Sequence, residues 1–149
     1  MSGSKPQRPG LVRPVVFGLA DGSMSITGVV FYASGHGGLV FPFAVAGGVS
    51  AAASMAGGEW LSQSGNGPAA CAAMGAATLL GSILPALPYA LLRGWAAPVV
   101  SVAILVIVAA VVARLRDHRK HPYLETGLVL GVVLAASVGC ALLIPGGTG

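Results

Sequence analysis

The chain has 149 residues, of which 55% are hydrophobic and 8% charged, and a mean hydropathy of +0.85. A soluble domain of this length needs far more charge to stay dispersed, which excludes water as the main solvent and leaves the bilayer. The net charge is +4, but the basic residues sit in short blocks beside apolar runs, which reads as topology signalling and argues against a nucleic-acid surface.

Residues 1–14 are polar, basic and proline-containing, with Lys5, Arg8 and Arg13, and are expected to form a cytoplasmic leader. A spanning helix needs roughly 20 mostly apolar residues. The first such run covers about 15–35; Asp21 interrupts it early and no polar mature domain follows, so it reads as a retained helix and not as a cleaved signal. SGHGG, 34–38, is a tight outer turn carrying His36, and the second run follows at 39–61. QSGNGP, 63–68, is a short inner connection with no room for a soluble domain. The third run, 69–92, contains Pro85 and Pro88, which should bend or unwind its outer half and free backbone carbonyls. The fourth, 96–113, is rich in valine and alanine and reads as lipid-facing. RLRDHRKHP, 114–122, is the charged inner loop with Asp117, His118 and His121; the fifth run is 123–144, with Glu125 at its inner boundary, and 145–149 is an outer or lumenal tail.

The expected fold is therefore all-α, an integral membrane bundle of five transmembrane helices over 15–144. With the N-terminus in the cytoplasm, Lys5, Arg8, Arg13, Arg114, Arg116, Arg119 and Lys120 fall inside and only Arg93 outside, the arrangement the positive-inside rule favours. Cys71 and Cys140 fall near opposite ends of their helices, too far apart to pair within one chain, and read as packing residues. Small residues are dense, with Gly18 and Gly22 in the first helix and Gly47, Gly48, Ser50, Ser54, Gly57 and Gly58 in the second. Such surfaces allow close helix contact in lipid, so a homodimer burying the first two helices is expected.

The chemistry points to two of the four acids. Asp21 and Glu59 lie inside apolar runs, in the inner third of the membrane, and are expected to face each other across the first two helices. A carboxylate at the centre of a spanning helix costs on the order of 2.5–3.5 kcal/mol. No Lys or Arg lies within either run to offset it, and Arg13 is eight residues before Asp21, about 12 Å along a helix. A proton or a bound cation remains as the compensator. Met55 precedes Glu59 by four residues and shares its helix face. Carboxylate with thioether is a mixed hard and soft donor set, suited to a divalent transition metal more than to Mg²⁺ or Ca²⁺. Met24, Ser25, Thr27 and Ser62 are further candidate ligands.

VVFGLADGSMSITGVV at 15–30 resembles the first-helix motif of the vacuolar iron transporter family, an Asp-Gly pair followed by small hydroxyl residues. AAASMAGGEWLSQS at 51–64 is similar to its second-helix motif, Ser-Met-x-x-Gly-Glu-aromatic-x-Ser, and GSILPALPYALL at 81–92 resembles its proline-containing third helix. The resemblance implies a homodimeric five-helix transporter that moves Fe²⁺ or Mn²⁺ out of the cytosol by proton antiport. It places the metal path on Asp21, Met55 and Glu59. Two departures stand out: Trp60 replaces the common tyrosine, and QSGNGP stands where many members carry a Glu-rich cytoplasmic domain.

The expected function is thus a divalent transition-metal transporter, not an enzyme, with no resident cofactor, its partners being metal ions, protons, the bilayer and a second copy. The short loops lean towards a prokaryotic plasma membrane. Two rival readings are a proton-coupled exporter of organic cations, which the scarcity of aromatic residues near Asp21 weighs against, and a non-transporting accessory bundle, which leaves both carboxylates unexplained.

Overall fold

A computed structural model describes residues 10–35, 39–62, 67–115 and 122–143. Among these, every regular element is an α-helix: α1 (Val12–Gly35), α2 (Val40–Leu61), α3 (Gly67–Leu91), α4 (Ala96–Leu115) and α5 (Pro122–Leu143). Lys5, Arg8, His36, Arg116, Asp117, His118, Arg119, Lys120, His121 and the 145–149 tail lie outside the described residues.

Pro14, Pro42, Pro68, Pro98 and Pro122 each fall in the first turn of a helix. There the backbone N–H has no partner within the helix, so proline removes nothing and its fixed φ favours the first turn. The turn from α3 to α4 reverses at Gly94, whose φ of 67° is a left-handed conformation that glycine adopts without strain.

α2, α3 and α4 are each long and apolar enough to cross a membrane. In α1, Arg13, Asp21 and a run of glycines and serines dilute the apolar character. The outward valines and isoleucine of α4, Val99, Val102, Val106, Ile107 and Val111, are exposed, whereas Ala97, Ser101, Val108 and Val112 repeat every three to four residues and face the bundle.

Within one chain α3 is the most enclosed helix, with α1 and α2 as its main neighbours. The reason is backbone proximity. A Cβ added at Gly18 or Gly22 of α1 would overlap the carbonyls of Met74 and Thr78, and one added at Gly81 would lie 2.6 Å from the Leu19 carbonyl. On the other side of α3, a Cβ at Gly48 of α2 would come within 2.8 Å of Ser82 Cβ. At the far end of these three helices Ile26, Val30, Val40, Ala44 and Ala86 close a small apolar core.

α3 is helical from Gly67 to Leu91, so its prolines do not unwind the outer half. Pro85 cannot donate to Gly81; the Ser23 hydroxyl of α1, which donates to the Leu19 carbonyl of its own helix at 2.7 Å, lies 3.4 Å from that oxygen.

Candidate functional site

Gly18, Gly22 and Ile26 turn one side of α1 towards α3 and the core. Asp21 lies on another side, sharing the 17, 21, 25, 28 spacing with Phe17, Ser25 and Gly28. It is half-buried, while Phe17 and Ser25 are exposed. On α2, Gly48, Ala52 and Ala56 meet α3, and Met55 and Glu59 lie beside that contact, both half-buried.

The contacts with α3 serve as a ruler for depth. Along α1, Ser23 pairs with Gly81 and Ser82 with Gly22, which puts Asp21 level with about residue 80. Along α2, which runs the other way, Gly48 meets Ser82 and Gly75 meets Ala52 and Ala56, which puts Met55 near the level of Gly75 and Glu59 near Cys71. At 1.5 Å per residue, Asp21 and Glu59 are separated by roughly 12 Å along the axis, with Met55 about midway. Within one chain the three groups form a series from the inner end of α2 towards mid-bundle, and not a single coordination shell. Consistent with that spacing, no cluster of three or more His, Cys, Asp and Glu side chains suited to a metal occurs among the described residues.

The secondary candidates divide. Ser25 stays with Asp21 and Met24 is half-buried on the same helix. Thr27 is buried, donates its hydroxyl to the Ser23 carbonyl at 2.7 Å and lines a cavity beside α4. Its side chain therefore belongs to a different side of α1 from Asp21. Ser62 is exposed and donates to the Glu59 carbonyl at 2.9 Å, where it finishes α2. Cys71 is half-buried, with its thiol directed at the Gly67 carbonyl one turn back, as suits a packing residue.

Sequence reasoning missed the buried hydroxyls of α3 and α4. Thr78 donates to Met74, Ser82 to Thr78 with the Gly22 carbonyl 3.3 Å away, and Ser101 of α4 to Pro85 at 2.6 Å. All three side chains are fully enclosed. Among the described residues no buried side-chain nitrogen or oxygen lacks a hydrogen-bond partner. The signal was present as serine and threonine four apart, at 23 and 27 and at 78 and 82, in runs otherwise made of small and aliphatic residues.

α2 also has an outward side. Phe43, Gly47, Ser50, Ser54 and Gly58 recur at helical spacing and are exposed, and a Cβ added at Gly47 or Gly58 would meet no atom within 4 Å. Comparison with family models, with curated proteins and with solved structures gives no match. The site and the fold define the class at the level of an α-helical membrane protein with carboxylates on its helices.

Proposed function

We propose that this chain is a five-span transporter, N-terminus in the cytoplasm, that exports a divalent transition metal, Fe²⁺ or Mn²⁺, in exchange for protons. The observation that carries the reading is the pair Asp21 and Glu59 on apolar helices, with Met55 between them in depth. At mid-bundle the charge of Asp21 is costly, and a proton or a cation offsets it. Alternation between the two at the same groups is the chemistry of antiport.

The graded depth supports a stepwise path. Glu59, nearest the end of α2, receives the ion; Met55, about one turn deeper, supplies a soft donor; Asp21 holds it at mid-bundle. Ser25 adds an oxygen beside Asp21. Protons arriving from the opposite side displace the ion, because protonation removes the charge that holds it.

A homodimer completes the path. Asp21 and the outward side of α2 together offer a carboxylate, hydroxyls and glycines on neighbouring helices, a surface on which a second copy can approach at backbone distance. The membrane is assigned as a prokaryotic plasma membrane from the short connections between helices.

The test is uptake into proteoliposomes with an acidic lumen, Fe²⁺ and Mn²⁺ in parallel, for the native chain and for Glu59→Gln. Uptake that requires the gradient and is lost in Glu59→Gln is the expected result. Absence of uptake of both ions by folded dimers overturns the proposal and brings the organic-cation and accessory readings forward.

A further inference from the structure

An α-helix spends each N–H on the carbonyl four residues back, so Pro85 and Pro88 remove the bonds to Gly81 and Leu84 in adjoining positions. α3 stays helical across this gap, and both prolines are buried. Hydroxyls from the helices on either side converge there. Ser23 of α1 donates its hydroxyl to the Leu19 carbonyl of its own helix at 2.7 Å and lies 3.4 Å from the Gly81 carbonyl, and Ser101 of α4 donates to the Pro85 carbonyl at 2.6 Å. The first is a long contact to the carbonyl that Pro85 leaves without its helical donor. The second ties α4 to the segment beyond the gap.

Beside the same residues lies a cavity of about 70 Å³ between α1, α3 and α4, walled by Thr27, Val30, Pro85, Tyr89, Ser101 and Val102. It opens to the outside at the exposed Val102 and adjoins the stretch of α3 where Pro85 and Pro88 supply no amide, which leaves that stretch room on one side.

We propose that α3 is hinged between Gly81 and Pro88, that the segment from Pro85 to Leu91 swings towards the cavity, and that the Ser101 hydroxyl is the latch holding it in the position seen. The hinge lies at the end of the bundle opposite Glu59. Ala86, in the moving segment, is part of the apolar plug formed with Ile26, Val30, Val40 and Ala44. Its displacement loosens that plug while the contacts of Met74 and Gly75 with α1 and α2 stay in place. The motion opens one end of the bundle only, which is half of an alternating-access cycle. It holds for any cargo and goes beyond the transport reading.

Hydrogen exchange of the full chain in nanodiscs tests this without reference to transport. In Ser101→Ala, the amides of residues 86, 87 and 89–91 are expected to exchange about fivefold faster, the effect of losing one internal hydrogen bond, with amides 70–78 unchanged. Ser101→Thr keeps the hydroxyl, and its extra methyl fits the cavity, so exchange stays near native. Pro85→Ala restores the bond to Gly81 and slows exchange at 86–91 below the native rate. Unchanged exchange at 86–91 in Ser101→Ala, acceleration spread evenly along α3, or native rates in Pro85→Ala would each overturn the hinge.

Discussion

Replacing Gly81 by alanine tests whether α1 is seated on α3 by backbone contact. The new Cβ would lie 2.6 Å from the Leu19 carbonyl oxygen and 3.2 Å from the Ser23 amide nitrogen, where ordinary contact begins at 3.4 Å. The helices must therefore part by about 0.8 Å at that point. Such a shift carries the bonds from Ser23 to Gly81, at 3.4 Å, and from Ser82 to Gly22, at 3.3 Å, out of hydrogen-bonding range. Overpacking costs about 1–3 kcal/mol; the Ser23 and Ser82 hydroxyls keep their shorter bonds to Leu19 and Thr78, so losing the long contacts adds little. Removing a glycine from a helix interior returns roughly 0.5–1 kcal/mol. The net expectation is a loss of about 0.5–2.5 kcal/mol. Gly127→Ala in α5 is the control, because a Cβ there meets nothing within 4 Å and only the propensity gain applies. Reversible unfolding in mixed micelles of increasing SDS content, followed by helical circular dichroism, measures both. A Gly81→Ala chain as stable as the native one, beside a Gly127→Ala chain that behaves as expected, would refute close backbone seating.

Gly58→Leu fills the outward side of α2 without touching α3, and is expected to convert the proposed dimer to a monomer in light scattering while leaving the helical content intact; an unchanged dimer mass would place its interface on another face. Asp21→Asn is expected to keep metal loading at Glu59 but to reduce gradient-driven uptake by tenfold or more, about 1.4 kcal/mol, because the mid-bundle step loses its charge; native uptake would remove Asp21 from the path. Trp95 is exposed in the α3–α4 turn, and a cysteine placed there, with Cys71 and Cys140 replaced by alanine, is expected to react with an impermeant maleimide added to intact cells. Reaction only after permeabilisation would reverse the orientation.

Much of the architecture was legible because it rests on local signals. Runs of apolar residues long enough for a span, separated by glycine, proline and charge, placed the helix ends within a few residues of α1 to α5. The prolines in the first turns carried the same information, unused. Relative depth was read less well: both carboxylates were expected in the inner third, whereas the contacts with α3 put Asp21 about two turns deeper than Glu59. Which side of each helix meets a neighbour was not legible. Gly18 and Gly22 look alike for any partner, and the carbonyls they admit belong to α3, a choice made by the mutual fit of three surfaces. The same limit bears on the expectation that Asp21 and Glu59 face each other, since about two turns of height separate them along the bundle. Ser101 was invisible for a different reason: its partner is a carbonyl, present in every residue, and only packing decides which one it reaches.

The glycine contacts and the hydroxyl bonds divide the bundle mechanically. Gly18, Gly22 and Gly81 bring α1 onto the backbone of α3, and Gly48 and Gly75 do the same for α2, so these helices have little freedom to slide at the level of Ala77 and Thr78. Ser82 stands where the two contacts meet, against Gly48 and beside the Gly22 carbonyl. Beyond Pro85 α3 has no glycine, and α4 reaches it through the Ser101 hydroxyl, the latch of the proposed hinge. A rigid trio below and a releasable segment above is what a carrier requires if its ion-holding groups are to keep their spacing while one end opens. Asp21 and Met55 lie at or below the level of the glycine contacts, on the rigid side of that division. Under the proposed hinge, movement of the segment from Pro85 to Leu91 therefore changes access to them before it changes their geometry.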